Sequence, residues 1–186
     1  MTGLMIGLII LVVFLIIVVW VISAYNKLVK FKNLMQEAWS GIDVFLKKRH
    51  DLAPNLVEIV KGYAAHEKQT FEEVTRLRSQ AINATGQEAQ MESEAGLGMA
   101  LGRLMVVAER YPELKANTNF LELQQQLAKL EEDLSLSRRY YNGTVRENNI
   151  YIEKFPSNII AGMFNFKKGQ FFEIENAEKT VPQVSF

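Results

Sequence analysis

His50 and His66 are the two imidazoles of the chain, and each stands beside a carboxylate, Asp51 or Glu67. His66-Glu67 opens like the His-Glu-x-x-His helix of zinc proteases, but residue 70 is Thr, so the second histidine ligand is missing. His50 lies well upstream and matches no metal-ligand spacing. A metal-dependent hydrolase built on these two residues is therefore a weaker reading than solvated or structural histidines. No serine stands in a nucleophile elbow and no glycine-rich phosphate loop occurs. The expectation is a protein without enzymatic activity, metal or cofactor.

Two further clusters carry unusual polarity. Lys47-Lys48-Arg49-His50 is a short basic stretch. It reads either as a solvated face with Arg49 pairing a carboxylate across a helical bundle, or as a docking patch for an acidic partner at Lys47 and Lys48; the first is preferred. Arg138-Arg139-Tyr140-Tyr141-Asn142, followed by Asn148-Asn149, is polar for a central helix. Asn142 and Asn149 are one heptad apart and share a helix face. They either fix helix register or, with Arg49 and Tyr141, line a polar ligand pocket; the structural role is preferred.

The elements that must position these residues begin with a membrane segment. Leu4 to Ile22 is apolar throughout and the first charged side chain is Lys27. At helical rise this run spans about 28 Å, close to the hydrocarbon thickness of a bilayer. A cleavable signal peptide would call for a basic start and a shorter apolar core; neither is present, and an anchor is favoured. Trp20 and Tyr25 suit the interfacial aromatic belt at its exit. Lys27, Lys30 and Lys32 follow the run with no basic side chain before it, which predicts a short N-terminus outside and the body in the cytoplasm. There are no cysteines, hence no disulfide framework.

Beyond the anchor lies one domain's length of chain. Lys and Arg number 21 and Asp and Glu 21, a balance that argues against nucleic-acid binding. Apolar or small residues recur every three or four positions at Leu28, Phe31, Met35, Ala38, Ile42 and Phe45, then at Leu52, Leu56, Ile59 and Tyr63. This predicts a helix over about 25–84, kinked rather than turned at Pro54. A second helix is expected over 88–110, with Leu97, Leu101, Leu104 and Ala108 on one face. Gly98 and Gly102 suggest close helix approach there. A third helix is expected over 118–154. The predicted fold is all-α: one N-terminal transmembrane helix (1–24), an antiparallel bundle of three to four long helices (25–172), and a flexible tail (173–186). Residues 155–172 hold five of the eleven phenylalanines. That stretch either plugs one end of the bundle, the preferred reading, or dips its aromatics with Lys167 and Lys168 into lipid headgroups or a partner.

Several long stretches resemble the LemA family of bacterial membrane proteins. They are YNKLV at 25–29, AWSGIDVFLKKRHDLAPNLVEIVKGYAAHEK at 38–68, ERYPELKANTNFLELQQQL at 109–127, RRYYNGTVRENNIYI at 138–152 and FPSNIIAGMFNFKKGQFFE at 155–173. The resemblance implies a single-pass inner-membrane protein with a cytoplasmic helical bundle and no established catalytic residues. It suggests a scaffold or adaptor, self-associating or serving a membrane partner such as a metalloprotease. The alternative is a ligand-sensing membrane protein whose pocket lies in the bundle.

Overall fold

The computed structural model describes residues 2–172. All regular elements among them are helical: α1 (Thr2–Tyr63), α2 (Lys68–Asn83), α3 (Gln87–Glu109), α4 (Pro112–Lys115), α5 (Thr118–Glu153) and α6 (Ser157–Met163). The chain divides into two compact units. One comprises residues 2–39 with 140–171, the other 40–139 with Phe172. The segment 173–186, expected to be a flexible tail, lies outside the described residues.

The second unit is a helical bundle. Its core joins Leu52, Leu56 and Val60 of α1, Phe71, Val74 and Ala81 of α2, Leu97, Leu101 and Leu104 of α3, and Phe120 and Leu127 of α5. The sequence places these residues at three- and four-residue steps, so each helix turns one apolar stripe inward. Short connections at 64–67 and 84–86 make α1, α2 and α3 successive antiparallel neighbours. Gly86 has φ +91°, a left-handed conformation in which a side chain would be strained, and it turns the chain into α3. Asn117 caps α5: its side-chain oxygen accepts from the N–H of Phe120 at 3.0 Å, while its amide donates to the Tyr63 hydroxyl at 3.0 Å.

One boundary differs from the expectation. The helix predicted over 25–84 is two helices, broken at 64–67. The chain passes Pro54 without turning, as expected, and the turn comes later. Gly62 weakens the last turn of α1. Beyond it, Glu67 is held by Arg110 at 2.7 Å, anchoring the connection. The inward stripe also drifts: Val60 and Ala64 are buried where Tyr63 was expected, and Tyr63 is exposed.

The continuity of α1 at Pro54 has a local explanation. Proline has no N–H, so the carbonyl four residues earlier, on His50, loses its helical donor. Arg78 of α2 supplies one, with Nε donating to the His50 oxygen at 2.6 Å.

The first unit contains the apolar run. From Leu4 to Val19 every side chain of this stretch is exposed. It is long and apolar enough to cross a membrane. Past its end, Ala24 and Leu28 of α1 form a small core with Ile160 and Ala161 of α6, bordered by Val21, Tyr151, Ile152 and Phe166. Helix α6 ends in a left-handed residue, Asn165 (φ 54°). The Phe166 N–H bonds the Ala161 carbonyl at 2.9 Å and the Asn165 N–H bonds that of Gly162 at 3.2 Å. This double closure satisfies carbonyls that a helix end leaves open, and Phe166 then packs back on the small core.

Candidate functional site

On α1, the apolar stripe steps from Phe45 to Leu52 through Arg49, which therefore points into the bundle with a charge. On α3 the stripe Leu97, Leu101, Leu104, Ala108 continues backwards to Glu94. The two charged residues meet. Arg49 is 1 % exposed and Glu94 0 %. Arg49 Nη2 donates to the Glu94 carboxylate and, at 3.0 Å, to the Glu94 backbone carbonyl. Arg49 Nη1 donates to Glu131 of α5 at 3.1 Å. His50 Nε2 lies 2.5 Å from Glu94 Oε1, so that nitrogen carries the proton of the bond. Both oxygens of Glu94 are thus engaged.

Burial by itself pushes the pKa of the Glu94 carboxyl up. The hydrogen bond from His50 and the charge and hydrogen bond of Arg49 outweigh it and hold the carboxyl below its ordinary value. The network thus holds a carboxylate, not a neutral acid. A methyl group at Gly98 would stand 3.4 Å from Arg49 Nη1, so a small residue leaves room for the guanidinium. Gly102, also expected to ease helix approach, faces open space.

Lys47 and Lys48, the candidate docking patch, are exposed on the opposite side of the same turn. Lys48 lies 5.3 Å from the ring centre of Phe45. It borders an open groove of about 530 Å³ between α1 and α5. Phe45, Leu52 and Leu130 give this groove apolar surface, and Lys48, Asp51, Lys129 and Asp133 give it charges of both signs.

The other candidate polar residues serve a different segment. Asn149 grips the backbone of Gly169 at both ends of its amide: Nδ2 donates to the Gly169 carbonyl at 3.0 Å, and Oδ1 accepts from the Gly169 N–H at 2.8 Å. Asn148 donates to the same Oδ1 at 3.2 Å. Tyr141 donates to the Gln170 carbonyl at 2.9 Å, with its ring edge-on to Trp39. Burial raises the Tyr141 hydroxyl above its ordinary value, so it remains a donor. Asn142 is half-buried and engaged. Arg49 thus has carboxylate partners in the second unit, whereas Tyr141 and Asn149 tether the segment after α6 in the first. His66 is exposed in the 64–67 turn. Among the described residues, no group of three or more His, Asp or Glu side chains is arranged to hold a metal ion.

The sequence model of the LemA family matches residues 38–186, most of the chain and all of the network just described. The chain belongs to the LemA family. Its similarity extends to curated relatives. It is 26% identical over 182 residues to a magnetosome protein MamQ of Paramagnetospirillum magneticum, covering 84% of this chain and 67% of the relative. With the MamQ of Magnetospirillum gryphiswaldense it shares 24% over 189 residues, covering 86% and 70%. With the protein LemA of Metamycoplasma hominis it shares 24% over 155 residues, covering 83% and 71%. Together with the apolar run of α1, membership makes this LemA-family chain a membrane-associated protein. Residues 49 and 94 both fall inside the matched range.

Glu94 was legible but unread. It is the one charged residue on the apolar stripe of α3, as Arg49 is on that of α1. Opposite charges on two inward-facing stripes are a pairing signal.

Proposed function

We propose that this LemA-family chain is a membrane-anchored, non-enzymatic adaptor whose helical body lies on the cytoplasmic side and recruits a partner helix through the groove between α1 and α5. The observation that carries this reading is the division of its charges. Inside the bundle, Arg49, Glu94 and His50 pair with one another, and the partly exposed Glu131 closes the network at its edge. At the surface, Lys48 and Asp51 on α1 and Lys129 and Asp133 on α5 flank an apolar floor. An open groove with alternating charges suits the face of an amphipathic helix of complementary pattern, which could belong to another membrane protein or to a second copy. Lys27, Lys30 and Lys32 after the apolar run support the cytoplasmic orientation. None of the relatives described above is named for an enzymatic activity.

The test places a photo-crosslinking residue at Asn55 or Gln126, which also line the groove, of a tagged full-length chain in cells, with Ile82 as a control outside it. One protein captured at both groove positions, in fixed ratio and lost on Lys48→Glu with Lys129→Glu, supports the adaptor. Capture of a second copy of the chain gives the self-assembling form of the same role. No protein captured from the groove, or steady turnover by the purified protein, overturns it. A reporter fused to the C-terminus and active only outside the cytoplasm would reverse the orientation.

A further inference from the structure

We propose that α6 and its flanks form an interfacial lipid-contact surface, with Phe155, Ile159, Met163 and Phe164 seated in the bilayer at the headgroup boundary.

The proposal starts from which side of α6 is used. Ser157, Ile160 and Ala161, at three- and four-residue steps, are buried. On the other side, Ile159 and Met163 are four residues apart and 52% and 72% exposed, and Phe155, in the turn before the helix, is 75% exposed. Phe164, following the helix, is 52% exposed. A short element apolar on both sides has one more face than its own core uses.

Position on α1 says what covers that face. The buried side of α6 packs on Ala24 and Leu28 beside Val21, and Val21 belongs to the apolar run that ends at Ile22. Phe164 meets the Tyr25 ring edge-on at 4.8 Å, and Phe166 meets it at 5.8 Å. Ala24 and Leu28 stand two and six residues past Ile22, about 3 and 9 Å at helical rise, so the contact spans a headgroup layer about 5–8 Å thick. Helix α6 is thus packed at the depth where α1 leaves the bilayer. Its outer side chains are those that the headgroup and upper acyl region accept: aromatic rings, Ile and Met. The polar groups at this level are cationic, already paired, or the exposed neutral amides of Asn158 and Asn165, which suit the headgroup layer rather than the acyl chains. Lys154 and Lys167 are exposed, Lys168 pairs with Glu153, and Lys27 lies over the rings of Tyr151 and Phe31. Lysines beside inserted aromatics favour anionic headgroups.

This rests on the apolar run of α1 spanning the bilayer, and the test separates the two. The chain has no cysteine, so single cysteines can be introduced at Val13, Phe155, Met163 and, as a water-exposed control, Ile82. Each full-length variant is labelled with an environment-sensitive fluorophore. It is then reconstituted in phosphatidylethanolamine–phosphatidylglycerol vesicles, with nitroxide quenchers at shallow or deep acyl positions. Two reporters on the surface guard against one that disturbs folding, and circular dichroism checks helix content. The expected result is deep quenching at Val13. Phe155 and Met163 should show blue-shifted emission with shallow quenching, and Ile82 neither. Water-like emission at Phe155 and Met163, with Val13 still deeply quenched, overturns the lipid contact while leaving the span intact. Blue-shifted but unquenched emission there means a protein covers the face and also overturns it. No quenching at Val13 overturns the span and the proposal with it.

Discussion

Arg49 and Glu94 are the charged residues on the apolar stripes of α1 and α3, and they face each other with almost no access to solvent. A lone buried charge is strongly unfavourable, whereas a paired one is tolerated, here although the buried Nε of Arg49 has no hydrogen-bond partner. Replacing Glu94 with Leu leaves Arg49 buried with the partly exposed Glu131 and the residue-94 backbone carbonyl, and without the buried carboxylate that offsets its charge. This substitution should destabilise the chain by about 3–5 kcal/mol. The double variant Arg49→Met with Glu94→Leu removes both charges and should recover most of that loss. Thermal unfolding of the detergent-solubilised chain, followed by circular dichroism, measures both. A double variant as unstable as the sum of the singles would show that the two residues do not act as a pair.

The same network gives stability a pH dependence of definite sign. The folded chain holds the Glu94 carboxyl below its ordinary value of 4.5, because His50 and Arg49 outweigh the effect of burial. A group lowered on folding contributes stability that is fully present above its unfolded value. That contribution is lost as pH falls through the folded one. The midpoint of unfolding should therefore be held by this group above pH 4.5 and drop below it. Glu94→Gln, which cannot ionise, should flatten that part of the profile. An unchanged acid limb in Glu94→Gln would assign the acid sensitivity to other carboxylates.

Pro54 and Arg78 should be coupled although their side chains play different parts. Pro54 removes the donor that the His50 carbonyl would have in a regular helix, and Arg78 replaces it. Arg78→Met should cost about 1–2 kcal/mol, the lower part of the scale for an unsatisfied acceptor, because the site is only part-buried. In a Pro54→Ala background, the restored N–H returns to the His50 carbonyl and the same substitution should cost about 1 kcal/mol less. Equal costs in the two backgrounds would leave Arg78 with only a generic packing role.

These residues show what a one-dimensional reading can and cannot give. The long helices were legible because their apolar residues keep a helical step over many turns, and the apolar run because nothing interrupts it. The passage of α1 through Pro54 was legible as well, since the stripe keeps its phase across the proline. Its partner was not, because Arg78 lies on another helix and nothing in its neighbours marks it. The break at 64–67 was missed for a similar reason. It carries no proline and its nearest glycine stands inside α1, so tertiary contacts such as Glu67 with Arg110 select it. Asn149 was recognisable as an oddly polar residue. Phe155-Pro156 signals the end of α5 and the apolar residues near Ile159 a short further helix, but the direction of the chain after α6, on which the grip on Gly169 depends, is set by tertiary packing.

That grip yields the last expectation. Asn149 closes two hydrogen bonds with the backbone of Gly169, and Tyr141 adds one to Gln170. A methyl at Gly169 would stand 2.8 Å from the Met35 sulfur, so the segment lies close against α1 where it is held. Lys167 and Lys168 lie just before it and are exposed, which makes trypsin a probe of how often the segment lifts. Asn149→Ala removes both amide contacts at about 1 kcal/mol each, so opening should become roughly thirtyfold more frequent. Cleavage at these lysines should accelerate by a similar factor when reclosure outpaces the protease. Tyr141→Phe removes a single bond and should accelerate it only about fivefold. Both variants should unfold globally within about 2–3 kcal/mol of the parent chain. Unchanged cleavage in Asn149→Ala would mean that packing of Phe166 and its neighbours, not the amide clasp, holds the segment down.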